Sequence, residues 1–290
     1  MTAVPAAVAS PALSRSYRER QLRAAAPFVA WAVYGTFFAL HVVVRATGDE
    51  LMPWRSVERL DFLLTGGNPS LWLQDRLYTD RLSLLDRVTT GAHLAWFAFP
   101  IVVGLAITVL RRDLLVRYLG WLTVTWFVCD LFFLVLPVRP PWMADAEVTR
   151  VLFTRGWVEY ASRDSNPVAA FPSLHVCIPA VIGLFLWRSW PKARWLAWAS
   201  FVYAALVGFS VIYLGEHWLV DVLAGLGVAW VIRLAFVSKR FHRGLDRILP
   251  GKPAQRLAAF ECAATATMTG KSGAEAAAAS GAREEQKRAA

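Results

Sequence analysis

Tyr213-Leu-Gly-Glu-His-Trp-Leu-Val-Asp-Val-Leu-Ala-Gly-Leu-Gly-Val-Ala-Trp-Val-Ile-Arg-Leu-Ala-Phe-Val-Ser-Lys-Arg240 joins two kinds of sequence. From 217 to 237 the residues are almost all apolar, close to the ~20 that a helix needs to cross roughly 30 Å of hydrocarbon. One end carries His217 and Asp221. The other runs into Lys239, Arg240, Arg243 and Arg247. Lysine and arginine resist translocation during insertion, so the basic end is cytoplasmic and the His/Asp end lies outside.

The same reading finds five further apolar stretches, at about 27–44, 89–110, 114–136, 174–190 and 195–213. The expected fold is therefore all-α: a polytopic bundle of six transmembrane helices. Arg111, Arg112 and Arg117 crowd one short loop, and Arg188, Lys192 and Arg194 another. The opposite loops, 45–88, 137–173 and 214–216, are longer or charge-poor, and acids such as Asp49, Glu58, Asp61, Asp145 and Glu159 dilute their arginines. Both termini then face the cytoplasm. Arg15, Arg18, Arg20 and Arg23 precede the first stretch as in a signal peptide, but no small-residue cleavage site follows, so it is read as a spanning helix.

Three regions follow: a cytoplasmic segment 1–26, a membrane domain 27–237, and a basic tail 238–290 expected to be disordered from about Ala263. The composition agrees with a bilayer protein, with 57% hydrophobic residues, 14 Trp and 17 Phe in 290. The net charge of +10 is explained by topology and by anionic lipid, and no nucleic-acid motif is present. Cys129, Cys177 and Cys262 are scattered and form neither a disulfide framework nor a zinc pair.

In the first outer loop, Leu51–Leu64 and Leu71–Leu85 mix apolar and charged residues at helical spacing around Gly66-Gly67-Asn68-Pro69. Two interfacial helices are expected there. Trp54, Phe62, Trp72 and Tyr78 suit the headgroup level. They could grip substrate or simply cover the bundle.

Three segments at the outer helix ends carry chemistry. In the first, Leu136-Pro-Val-Arg-Pro-Pro-Trp142, the Arg139 fork matches two phosphate oxygens. In the second, Phe171-Pro-Ser-Leu-His175, a helix N-terminus and the Ser173 hydroxyl favour an anion, and His175 can protonate a leaving oxygen. In the third, an Asp221 carboxylate four residues after His217 can fix its tautomer and leave the other nitrogen to attack phosphorus. Tyr213, Trp142 and Trp218 would wall the site, and Tyr213 is assigned with Arg139 and Ser173 to the phosphate.

Together these segments resemble the type-2 phosphatidic acid phosphatase superfamily, whose pattern is Lys-x6-Arg-Pro, Pro-Ser-Gly-His and Ser-Arg-x5-His-x3-Asp. Arg139-Pro140, Pro172-Ser173-x-His175 and Ser210-x6-His217-x3-Asp221 align with it. The chain departs at Phe132, Leu174 and Val211, where the family has lysine, glycine and arginine. Phe-Pro-Ser-Leu-His, Pro-Pro-Trp and Tyr-Leu-x-x-His are closer to its inositol phosphorylceramide synthase (aureobasidin-resistance) branch.

The resemblance implies a phosphohistidine on His217 assisted by Asp221, His175 as acid and then base, Arg139 on phosphate, no metal and no cofactor. Its partners would be membrane lipids: a phospholipid donor, and a lipid hydroxyl or water as acceptor. Headgroup transfer, possible phosphoinositol transfer included, is the reading adopted. A lipid phosphate or polyprenyl pyrophosphate phosphatase is the alternative, and a lipid transporter or flippase the rival from another class. A metal site on His175, His217 and Asp221 lacks a HExxH-type pair. The Ala- and Arg-rich composition points to a bacterial plasma membrane with the site outside. His41, His93 and Asp130, also near outer helix ends or within a span, are left without a role.

Overall fold

A computed structural model describes residues 11–46, 56–79, 81–154 and 168–238. The N-terminal ten residues and the tail after 238, with its expected disorder and Cys262, lie outside the described residues, as do Trp54 and Glu159. Among those described, the chain is helical, with one isolated bridge between Val138 and Ala169.

The helices are α1 (Pro11–Ala46), α2 (Ser56–Thr65), α3 (Pro69–Leu77), α4 (Leu84–Leu110), α5 (Leu115–Val135), α6 (Pro141–Ala144), α7 (Val151–Thr154), α8 (Leu174–Ser189), α9 (Arg194–Tyr213) and α10 (Leu219–Val237). Among the described residues, five helical segments are long and apolar enough to cross a membrane: Ala25–Val44, Leu84–Leu110, Arg112–Val135, Pro191–Tyr213 and Leu219–Val237, the third and fourth each including a 3-10 turn before α5 and α9. The sixth expected span, α8, has 16 residues. At ~1.5 Å per residue it is about 24 Å long, short of the hydrocarbon thickness.

Position explains the short helix. α8 packs against α4, α5, α9 and α10, and its residues from Val176 to Gly183 are all buried. A helix that is apolar all round belongs inside. The outer helices turn apolar side chains outward instead: Val109 is 81% exposed, Val202 66% and Val231 61%, the pattern of a surface solvated by lipid chains. Gly183 lets α8 approach α9, because a Cβ there would fall 2.4 Å from the Phe201 ring.

α4 starts five residues before the expected boundary. Its first turn is amphipathic and hides from a hydropathy reading, yet Ser83 and Asp86 close a capping box on it. Two helices, α2 and α3, form around Gly66-Gly67, but the expected Leu71–Leu85 stretch is not one helix: α3 ends at Leu77, and Leu84 and Leu85 begin α4. Asn68 caps α3 through Ser70 and Leu71, and Pro69 takes its first position, where a missing N–H costs nothing.

Candidate active site

The three motif segments are stitched together by main chain. Val138 N–H donates to Val168 O at 2.7 Å, Trp142 N–H to Gly215 O at 3.2 Å, and Ser173 N–H to Asp221 O at 2.9 Å. The Trp218 indole donates to Arg139 O at 2.7 Å. Behind them, Gly225 brings α10 against the start of α8, where a Cβ would stand 2.4 Å from Ser173 O. Only a residue without a side chain fits this contact.

His217 does not lie within a helical turn as expected. Gly215 adopts a left-handed conformation (φ +79°), the chain turns there, and α10 starts two residues after His217 with Trp218 as its N-cap. His217 and Asp221 still meet, as loop residue and third helical residue: Nδ1 lies 3.3 Å from Oδ2. The same Oδ2 accepts the Trp218 N–H at 2.9 Å. The carboxylate therefore holds both the helix start and the imidazole.

His175, second residue of α8, places Nδ1 3.1 Å from His217 Nε2. A carboxylate on Nδ1 of His217 makes that nitrogen the donor, so Nε2 is the acceptor and His175 Nδ1 carries the shared proton. The arrangement is a relay of carboxylate, imidazole and second imidazole. Asp221 is fully buried and His217 5% exposed. Ser173, the N-cap of α8, is also fully buried, and its hydroxyl has no hydrogen-bond partner among the described residues. A buried, unpaired hydroxyl beside helix N–H groups suits an oxyanion.

Two cations border the cluster, and both hold carboxylates. Arg139 reaches Glu58 of α2 through Nη2 (2.8 Å) and Nε (3.1 Å). Arg150 grips Glu216, next to His217, at 2.7 and 3.1 Å, with its guanidinium over the Trp142 ring. The two positions where the family pattern has basic residues are apolar here. Phe132 packs on Phe171, and Val211 is buried.

Tyr213 is placed differently from the phosphate-binding role read from sequence. Its hydroxyl donates to Asp86 Oδ1 at 2.6 Å, and its carbonyl accepts from Gln74, so it fastens α9 to α4 and α3. Asp61 of α2 was missed as well. It accepts the Val220 N–H at 2.8 Å and so caps α10 beside the site. Burial pushes its carboxyl up from the ordinary value, against the pull of the N–H groups of Val220 and Leu219. α2, between the first two long helices, is thus built into the site.

His93 is the largest omission. Its ring stacks on His175 with centroids 4.4 Å apart, while Trp96, one turn on, meets the same ring at 4.6 Å. No local motif marks His93, since only the crossing of α4 and α8 creates the contact. His41 and Asp130 instead pair with each other at 2.5 Å between α1 and α5.

The profile of the PAP2 superfamily matches residues 66–235, more than half of the chain. The protein belongs to the PAP2 superfamily. It is similar to the lipid A 1-diphosphate synthase of Escherichia coli (strain K12), 31% identical over 98 residues, covering 32% of this chain and 38% of that protein. The matched part is thus well under half of that relative's length. No solved structure matches. The helices and the family together make this an integral membrane protein of the PAP2 superfamily.

Proposed function

We propose that the protein is a lipid phosphotransferase that moves a phospho-headgroup from a phospholipid to a lipid hydroxyl through His217. The observation that carries this is the 3.1 Å contact between His175 Nδ1 and His217 Nε2 with Asp221 behind it. His217 Nε2 attacks phosphorus, forming an N–P bond as the P–O bond to the leaving lipid breaks, and His175, entering this step as imidazolium, passes one proton to that oxygen and becomes neutral. An acceptor hydroxyl then attacks the same phosphorus, His175 takes its proton, and the N–P bond breaks to restore His217. Asp221 stabilises the charge on His217 throughout.

Ser173 and the first N–H groups of α8 receive the phosphate oxygens, and Arg139 joins them by exchanging or sharing Glu58. With Phe132 and Val211 in place of two basic residues, the site favours a phosphodiester with one negative charge over a dianionic monoester. The same departures, with Phe171-Pro-Ser-Leu-His175, support the inositol phosphorylceramide synthase-like branch. The relative named above makes a phosphorylated lipid by its name, which supports transfer to a lipid over hydrolysis.

In this reading α8 is a sixth, shortened span, α2 and α3 lie at the interface, both termini are cytoplasmic and the site faces outward, following the arginine-rich loops. The reaction is read as metal-independent. Hydrolysis is the same chemistry with water as acceptor.

The test uses protein purified in detergent beside His217→Ala. Phosphatidylinositol, phosphatidic acid and a polyprenyl pyrophosphate are supplied separately, with and without diacylglycerol or ceramide, with and without EDTA. A new phospholipid formed only with an acceptor and intact His217, in the presence of EDTA, is expected. Free phosphate without acceptor would make the protein a phosphatase. Silence throughout, with lipid movement unchanged in His217→Ala, would overturn the enzyme reading in favour of a transporter.

A further inference from the structure

Beside the histidine cluster, an apolar groove of about 270 Å³ opens between α1, α4 and α5, bordered by Tyr34, Gly35, Phe38, Trp96, Phe97 and Trp126. Its outer rim faces away from the bundle, with Phe97 52% and Phe38 37% exposed, while its floor is closed by Trp96 and Trp126, 4% and 1% exposed. Among the described residues, the groove lies on helices that contain spans long enough to cross a membrane. A groove so placed is wetted by hydrocarbon and not by water.

Trp96 joins this groove to the chemistry. Its ring touches the His175 ring at 4.6 Å and the Trp126 ring at 5.7 Å, so it is shared between the cluster and the groove wall. Its indole N–H is buried and has no acceptor among the described residues. A buried donor without a partner is costly, and an oxygen brought to it by a ligand would remove that cost. Gly35 stands opposite with open space, since a Cβ there would meet nothing within 4 Å.

We propose that this groove holds the hydrocarbon chain of the lipid alcohol whose oxygen His175 serves, and that the Trp96 N–H donates to an ester or hydroxyl oxygen at the junction of chain and headgroup. The assignment rests on the phosphotransfer reading for the identity of that oxygen. His175 protonates the leaving lipid's oxygen and later deprotonates the acceptor's, so both occupy this groove in turn. Their chains run from Trp96 toward the bilayer, and the reacting oxygen remains beside His175. A phenylalanine at Gly35 would fill the space that the chain takes.

Two measurements test this. The first is the ratio of kcat/KM for dioleoyl to that for dihexanoyl phosphatidylinositol, with diacylglycerol as acceptor, in wild type and in Gly35→Ala, Gly35→Leu and Gly35→Phe. The ratio should fall with side-chain size and reach at least about tenfold at Gly35→Phe, since burying each methylene contributes ~0.8 kcal/mol. Trp96→Phe should lower kcat/KM for dioleoyl phosphatidylinositol about tenfold, the loss of one hydrogen bond in an apolar site.

The second is photo-crosslinking of wild-type protein with phosphatidylinositol carrying a mid-chain diazirine, in phosphatidylcholine vesicles. Adducts concentrated on 31–38 and 96–101, displaced by excess unlabelled phosphatidylinositol, are expected. A chain-length ratio unchanged across the Gly35 series, or adducts spread evenly over all lipid-facing helices and not displaced, would overturn the groove. Displaceable adducts in the groove of a protein that turns over no lipid would keep the groove as a lipid site and sink the phosphotransfer reading instead.

Discussion

Among the described residues, two buried histidine–carboxylate pairs occur, His217 with Asp221 at the start of α10 and His41 with Asp130 between α1 and α5. By distance alone the second is the better pair, 2.5 Å against 3.3 Å. Their surroundings separate them. The far nitrogen of His217 meets a second histidine, with an unpaired serine hydroxyl and a helix N-terminus nearby. His41 is enclosed by the rings of Phe38, Trp126 and Phe133. A carboxylate beside an imidazole thus makes either a relay or an interhelical tie, and what lies beyond the ring decides which.

The contrast is sharpest under parallel substitution. His217→Ala should reduce turnover by roughly 10⁴-fold or more, as removal of a nucleophile does. His41→Ala should leave turnover largely intact and lower the thermal midpoint in detergent, since polar ties between membrane helices contribute ~0.6 kcal/mol, up to about 1.7. Equal losses of turnover would erase the distinction between the pairs.

Gly225→Ala tests whether the relay depends on main-chain fit. A Cβ 2.4 Å from Ser173 O must push α10 from α8 and part His217 from His175. A displacement of about 1 Å costs roughly 100-fold in rate. Turnover within twofold of wild type would show that the relay tolerates that movement.

A smaller effect is expected at His93. His93→Ala removes the ring stacked on His175, and stacking of this kind is worth ~0.5–1.5 kcal/mol, so kcat should drop up to about tenfold. His93→Phe should restore most of it if stacking alone matters. Failure of His93→Phe to restore activity, with a shifted pH profile, would place a third imidazole in the proton relay and widen the gap between the two clusters.

The smallest effect concerns Asp61, which supports α10 from outside the relay. Its carboxyl is raised above the ordinary 3.8, so between that value and its folded value the folded chain keeps a proton that the unfolded chain has lost. Stability then falls as pH rises through this window and stays lower above it. Asp61→Asn keeps an acceptor for the Val220 N–H and should flatten the dependence in thermal melts across mildly acidic pH. A wild-type midpoint that rises with pH there would contradict the shift.

Much of this site could be read from single segments. His175, Ser173 and Asp221 could be nominated from sequence because helix starts and short spacings bring such residue types together locally. Glu58, Asp61, Gln74 and Arg150 could not, because each acts on a partner more than 60 positions away. Gln74 clasps Thr149 and Tyr213, and Arg150 clasps Glu216. Charged residues in a loop look alike until the fold supplies their partners. The start of α10 was misplaced for a related reason, since hydropathy does not register the left-handed turn at Gly215 that leaves His217 outside the helix.

The sequence by itself determined that the chain is helical, that several of its helices are long and apolar enough to cross a membrane, and which two histidines and which aspartate are the candidates for the chemistry. Hydropathy and motif spacing are short-range properties, and each needs only a few consecutive residues. Tertiary structure alone decided that α8 is short and central, that His93 and Trp96 flank His175, that Tyr213 fastens helices, and that His41 belongs to Asp130. Those contacts depend on how helices cross, and crossing is set by packing at positions such as Gly183 and Gly225, where the missing Cβ shows its purpose only against the neighbouring helix.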